Sequence, residues 1–266
     1  ERGGWTARET SDLFTEYALD LHDALGDRVG NWTTLNEPWC SAFLGYCAGY
    51  FAPGRREPGA SLAAAYHLIL GHGLAIQRLR ETGARNLGIV LNLIPVISET
   101  PSMDVATRHV DGTQNRLFLD LLAGRGIPAD LLESCASVTD WSFVREEDNA
   151  ILGTPIDWLG ENYYSVMRVA EPDAANTDAI GQDTAAIPAC PPLRFAPRAP
   201  LTDMGWEILP EGIELALRKA TDHLPGVPIW ICENGAAVVE HTDAAGIHDP
   251  IRVEYLDDHV RALLRA

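Results

Sequence analysis

Short apolar runs at Val29–Leu35, Leu87–Leu93, Pro155–Gly160 and Val227–Cys232 alternate with longer stretches of helical spacing. The helical stretches cover residues 10–26, 61–81, 104–123, 210–223 and 249 onward, with a further short helix within 128–152. Strands joined by connections this long run parallel, because a parallel pair needs a crossover of about a dozen residues or more. Such crossovers are right-handed βα units and give an α/β fold with a covered parallel sheet. The near-continuous apolar run Leu87–Leu93 fits a strand covered on both faces.

Local signals set the element ends. Thr10 or Ser11 is positioned to cap the first helix, whose apolar face would be Phe14, Tyr17, Ala18, Leu21, Ala24 and Leu25. Ser61 is the expected cap of the second helix, and Asp249-Pro250 supplies a cap and a first-turn proline for the last. Residues 165–205 carry six prolines and no periodicity. They read either as a binding or lid segment or as a surface excursion. No repeat or linker divides the chain, so its 266 residues form one domain, 1–266.

A formal charge of −18 repels nucleic acid and anionic membrane surfaces and gives a well-solvated exterior. No run reaches the ~18 apolar residues of a membrane span. Cys40, Cys47, Cys135, Cys190 and Cys232 are odd in number and lack CxxC spacing, which suits a reducing, cytoplasmic location. No secretory leader opens the chain, and the absence of an initiator Met reads as a cut end. Nothing in the sequence speaks to oligomeric state.

The polar residues at strand ends carry the chemistry. Asn36 and Glu37 close the first strand ahead of Pro38, and Glu233 closes the last. Parallel strands bring their C-terminal ends to one face, so these two carboxylates converge there. Two carboxyl groups flanking one site are what hydrolysis of a glycosidic bond requires. Either Glu alone would read as a strand-end surface residue; the pair, each next to an Asn, is more specific. Asn36 and Asn162 are candidate sugar contacts. Of Tyr163 and Tyr164, alternation sends one to the mouth and one to the wall. The inward phenol could donate to a carboxylate and keep it ionised. Trp39 and Trp206 are either stacking platforms for sugar faces or core residues. His67 and His72 are five apart, the wrong spacing for two metal ligands on one helical face, and HExxH, GxSxG, P-loop and GxGxxG motifs are absent. No metal or cofactor is expected.

These stretches resemble glycoside hydrolase family 1, the β-glucosidase family. The likeness rests on Thr34-Leu35-Asn36-Glu37-Pro38-Trp39, Gly45-Tyr46 with Ala52-Pro53-Gly54, and His72-Gly73-Leu74-Ala75. It continues through Ile156-Asp157-Trp158-Leu159-Gly160 with Asn162-Tyr163-Tyr164, then Met204-Gly205-Trp206-Glu207 and Glu233-Asn234-Gly235-Ala236. The resemblance implies a (β/α)8 TIM barrel present in part, about strands 4–7 with their helices. The family's first strands would precede Glu1, and its last strand, which carries much of the sugar choice, would follow Ala266. It further implies a retaining β-glycosidase acting on β-glycosides, with β-glucosidase as the expected activity. Glu37 matches the family's acid/base, Glu233 its nucleophile, Asn36 the contact to the 2-hydroxyl, Tyr164 the partner of the nucleophile, and Trp39 and Trp206 the leaving-group side. The presence of Glu37 argues against the plant thioglucosidase branch. An inactive fragment and a non-catalytic sugar-binding barrel are the alternatives. Two departures stand out. Glu161 occupies a position where the family often has a hydrophobic residue, and alternation points it toward the helices, where an unpaired carboxylate is costly. Phe51 stands where many members have His.

Overall fold

The computed structural model describes residues 3–173, 184–239, 241–243 and 246–266. In chain order the first half contains α1 (Glu9–Leu25), β1 (Trp32–Asn36), α2 (Pro58–Glu81), β2 (Leu87–Leu91), β3 (Val96–Ser98), α3 (Asp104–Asp111), α4 (Leu117–Leu122), α5 (Ala129–Ser134) and α6 (Asn149–Leu152). The second half contains β4 (Trp158–Asn162), β5 (Met167–Ala170), β6 (Arg194–Phe195), α7 (Gly212–His223), β7 (Ile229–Glu233), β8 (His241–Asp243), β9 (Gly246–His248) and α8 (Pro250–Leu263).

The four expected strands form one sheet in the order β1-β2-β4-β7, and every pairing is parallel. This is a run of successive βα units, a part of a (β/α)8 barrel. Three of the four strands begin two or three residues later than the apolar runs, at Trp32, Trp158 and Ile229. Pro155 and Pro228 precede two of these starts and lack the amide hydrogen a ladder needs.

The two faces of the sheet differ. Ile89, Leu91, Leu159, Ile229 and Ile231 pack with α2, α4 and α7 in the main core. Nearly the whole middle of α2 is buried, from Ser61 to Ile76. By length and composition α2 could cross a membrane, but 83% of its most apolar window lies inside the fold, so it serves as a core helix. The opposite face presents Thr33, Trp230 and Cys232 as exposed residues. Trp158 lies beside Trp230 there, with ring centroids 5.5 Å apart.

Some local expectations change. α1 buries Ser11 and Thr15 and leaves Tyr17 58% exposed, so its buried face is rotated from the one drawn through Tyr17 and Leu25. The cause is close packing on α2: Ser11 donates from Oγ to the His67 carbonyl at 2.7 Å and sits against Gly71. Neither Thr10 nor Ser11 caps α1, whose N-cap is Arg8. Ser61 is likewise not a cap; Pro58 opens α2 and Ser61 lies one turn inside, bonded to the Pro58 carbonyl at 2.6 Å. Asp249 does cap α8, accepting from the Arg252 amide at 3.2 Å, with Pro250 in the first turn.

The stretch 165–205 is partly ordered into structure. β3, β5 and β6 make a second small sheet with its own core of Met103, Val110, Met167, Val169, Leu193 and Phe195. Residues 174–183 of that stretch lie outside the described residues.

Candidate active site

β1 ends at Asn36, and the next residue, Glu37, has φ 46°. A left-handed backbone is uncommon for Glu and costs energy that the surroundings must hold. The Glu37 amide donates to the Val90 carbonyl of β2 at 2.9 Å, which fixes this turn to the sheet. The register of β1 against β2 shifts between Thr33 and Asn36. That irregularity puts Asn36 on the exposed face that Thr33 also occupies, against simple alternation. A second shift, between Glu161 and Asn162, lies in the pairing of β4 with β7.

Asn162 meets the β1 pair. Its Nδ2 donates to Asn36 Oδ1 at 3.1 Å and to Glu37 Oε1 at 2.9 Å. Asn162 is 1% exposed, so its described contacts are with the protein and its amide serves to hold the amide–carboxylate pair. Two residues on, the Tyr164 hydroxyl donates to Glu233 Oε2 in a short hydrogen bond. One extended segment therefore reaches both carboxylates. Burial pushes the Tyr164 phenol far up, and its bond to Glu233 adds to this, so the hydroxyl remains a protonated donor. The charges of Glu233 and Glu37 both add to this rise.

Tyr163 goes to the wall, as alternation requires. It is fully buried and donates to the Leu209 carbonyl at 2.6 Å. Its own amide donates to the Glu233 carbonyl at 3.1 Å, tying β4 to β7 at the site. Trp206 lies edge-on to Tyr164, with centroids 5.9 Å apart. Its turn is anchored by the Asp203 amide on the Ala237 carbonyl at 2.9 Å and by Arg168, which holds the buried Glu207 carboxylate at 2.7 Å. Trp39 is only 7% exposed and packs on Phe43 at 5.7 Å, so it offers little ring to a ligand. Phe51 is 54% exposed, away from these contacts.

Glu161 points away from Asn162, as expected. It lies between Leu91 and Ile231 in register, on the side facing the helices, and has no exposure. Its one described partner is the Leu93 amide at 3.4 Å, and Oε1 has none among the described residues. Burial raises its pKa well above the ordinary carboxyl value; the Leu93 N–H opposes this and the Glu37 charge adds to it. Burial thus favours its neutral form over the carboxylate.

Three contributors to the site were not singled out from the sequence. Cys40 Sγ lies 3.1 Å from Glu37 Oε2. Asn92, just past β2, approaches Cys40 Sγ at 3.7 Å. Asn234 donates to the Tyr163 carbonyl at 2.8 Å and meets the Tyr255 hydroxyl at 3.1 Å, fixing the backbone beside Glu233. The three-residue spacing from Glu37 to Cys40 is a visible signal for a shared turn.

The sequence profile described as Glycosyl hydrolase family 1 matches residues 1–266. The thermostable beta-glucosidase B of Thermobispora bispora is 40% identical over 99% of this chain and 53% of its own length. A bifunctional beta-D-glucosidase/beta-D-fucosidase of Bifidobacterium breve is 37% identical over 99% of this chain and 58% of its own. Among solved structures, the psychrophilic beta-glucosidase of Micrococcus antarcticus superposes with a TM-score of 0.92 at 41% identity, covering 99% of this chain and 59% of that one. The chain spans little more than half the length of the curated relatives it matches. A profile match from first residue to last, on a backbone shared this closely, makes the chain a member of glycosyl hydrolase family 1.

Proposed function

We propose that this chain carries both catalytic carboxylates of a retaining β-glycosidase, with Glu233 as nucleophile and Glu37 as acid/base. The observation that carries the reading is the segment Asn162–Tyr164, which holds one carboxylate with an amide and the other with a phenol. Glu233 accepts the Tyr164 hydrogen bond on Oε2, and its other oxygen is the one that attacks the anomeric carbon. Glu37 gives its proton to the leaving oxygen in the same step. A covalent glycosyl ester on Glu233 results. Glu37, now a carboxylate, removes a proton from water, which attacks the anomeric carbon and returns Glu233 to its starting form. Asn36, exposed beside Glu37, is placed to bond the hydroxyl next to the reacting carbon, a contact that strengthens as positive charge develops there. Trp206, beside Tyr164, borders the leaving-group side.

The substrate class is a β-glycoside, with β-glucosides favoured because the matched relatives are named beta-glucosidases. Free thiols at Cys40, Cys47, Cys135 and Cys232 suit a reducing, cytoplasmic setting.

The test is treatment with an activated 2-deoxy-2-fluoro-β-glucoside, followed by peptide mass mapping, alongside an aryl β-glucoside assay. A stoichiometric label on Glu233, absent in Glu233→Ala, supports the reading. Absence of both label and turnover in a soluble, folded chain would refute it for these 266 residues.

A further inference from the structure

The turn after Glu37 places a sulfur against its carboxylate. The Cys40 amide donates to the Glu37 carbonyl at 2.9 Å, and Cys40 opens a wide helical turn, Cys40–Leu44. This folds Cys40 Sγ to 3.1 Å from Glu37 Oε2, while the other oxygen, Oε1, takes Asn162 Nδ2 at 2.9 Å. Asn92 decides which way the thiol proton points. Its Nδ2 can only donate, and it lies 3.7 Å from Cys40 Sγ. Asn92 is itself buried, and its carbonyl accepts from Gln114 Nε2 at 3.0 Å. With an N–H aimed at the sulfur from one side, the S–H is left to donate to Glu37 on the other.

We propose that Cys40 is a positioning residue for Glu37, its thiol proton holding Oε2 while Asn162 holds Oε1. The inference rests on Glu37 being the acid/base. A hydrogen bond to a carboxylate is stronger than one to the neutral acid. The thiol therefore assists the second step, in which Glu37 must act as a base. The thiol itself keeps its proton throughout: burial raises its pKa far above the ordinary value, and the charges of Glu37 and Glu233 add to this. It is a donor and not a nucleophile. The titratable groups around Glu37 are Cys40 on its own turn, Glu161 and Tyr164 on the β4 segment, and Glu233 at the end of β7.

Two measurements test this, one without turnover. The alkylation rate of Cys40 by iodoacetamide at pH 8.5 is read by peptide mass mapping in the unchanged chain and in Glu37→Gln. Removing the carboxylate charge should speed modification of Cys40 several-fold, with exposed Cys232 as the internal reference. Equal Cys40 rates in the two proteins overturn the proposal whether or not the chain is active. In the active protein, Cys40→Ala should lower kcat several-fold with KM little changed, and Cys40→Ser, which keeps a donor, should restore it. A kcat unmoved in Cys40→Ala overturns the proposal. Complete absence of turnover bears on the acid/base reading instead, and the alkylation rates then decide.

Discussion

At the scale of single residues, the site is a set of neutral donors around two acids. The Tyr164 bond to Glu233 joins a phenol to a carboxylate group, and hydrogen bonds to charged groups are worth about 1.5–3 kcal/mol. Tyr164→Phe should therefore lower kcat/KM by roughly 10- to 100-fold while leaving secondary structure intact, as checked by kinetics and circular dichroism. Glu161 gives a prediction of the opposite kind. Burial holds its pKa in the fold well above the ordinary value that it has when unfolded. Between those two pKa values the unfolded chain binds fewer protons than the native one, so stability falls as pH rises through that window. Glu161→Leu removes this slope; stability at pH 7 should rise by about 1–3 kcal/mol, and the gain should shrink toward pH 4, as measured by urea unfolding at several pH values. Asn36, Glu37 and Glu233 were legible because chemistry at a strand end is readable from one dimension, while only the family resemblance told Tyr164 from Tyr163. The hold of Asn162 on Glu37 was not legible, because it depends on register shifts in both β1 and β4.

At the scale of elements, the site depends on how β4 is backed by α7. The Tyr163 hydroxyl reaches the Leu209 carbonyl across the start of α7, and Gly212 lies directly beneath it. A Cβ at Gly212 would fall 1.9 Å from the Tyr163 hydroxyl oxygen. Gly212→Ala should cost about 1–3 kcal/mol through overpacking, read as a lowered Tm. Adding Tyr163→Phe removes the oxygen in the way, so the double variant should lose less than the sum of the two single losses. Behind β1, the Thr34 hydroxyl meets His72 Nδ1 at 2.7 Å. Burial lowers the His72 pKa to about 3, so a neutral imidazole ties α2 to the strand that carries Glu37. Periodicity predicted all these elements, but it misplaced the buried face of α1. A hydrophobic count cannot see that Gly71 lets two backbones approach closely enough to bury Ser11.

At the scale of the whole molecule, the sheet is covered by helices on one side and bears Trp230 at 49% exposure on the other. Trp230→Thr should reduce the fluorescence of an apolar dye bound to the folded chain, and the remaining tryptophan emission should show less quenching by acrylamide. An unchanged dye signal would mean that this face is covered in solution. The parallel order and the two acids at strand ends were determined by sequence alone, because alternating apolar periods and long connections permit few topologies. The tertiary structure decided the rest. It put Trp39 in the core, made Asn162 a support of Glu37, left Glu161 buried, and turned Cys40 onto the carboxylate. Each of these outcomes follows from groups far apart in sequence sharing a few ångströms of space, where burial and hydrogen bonding set what a side chain can do.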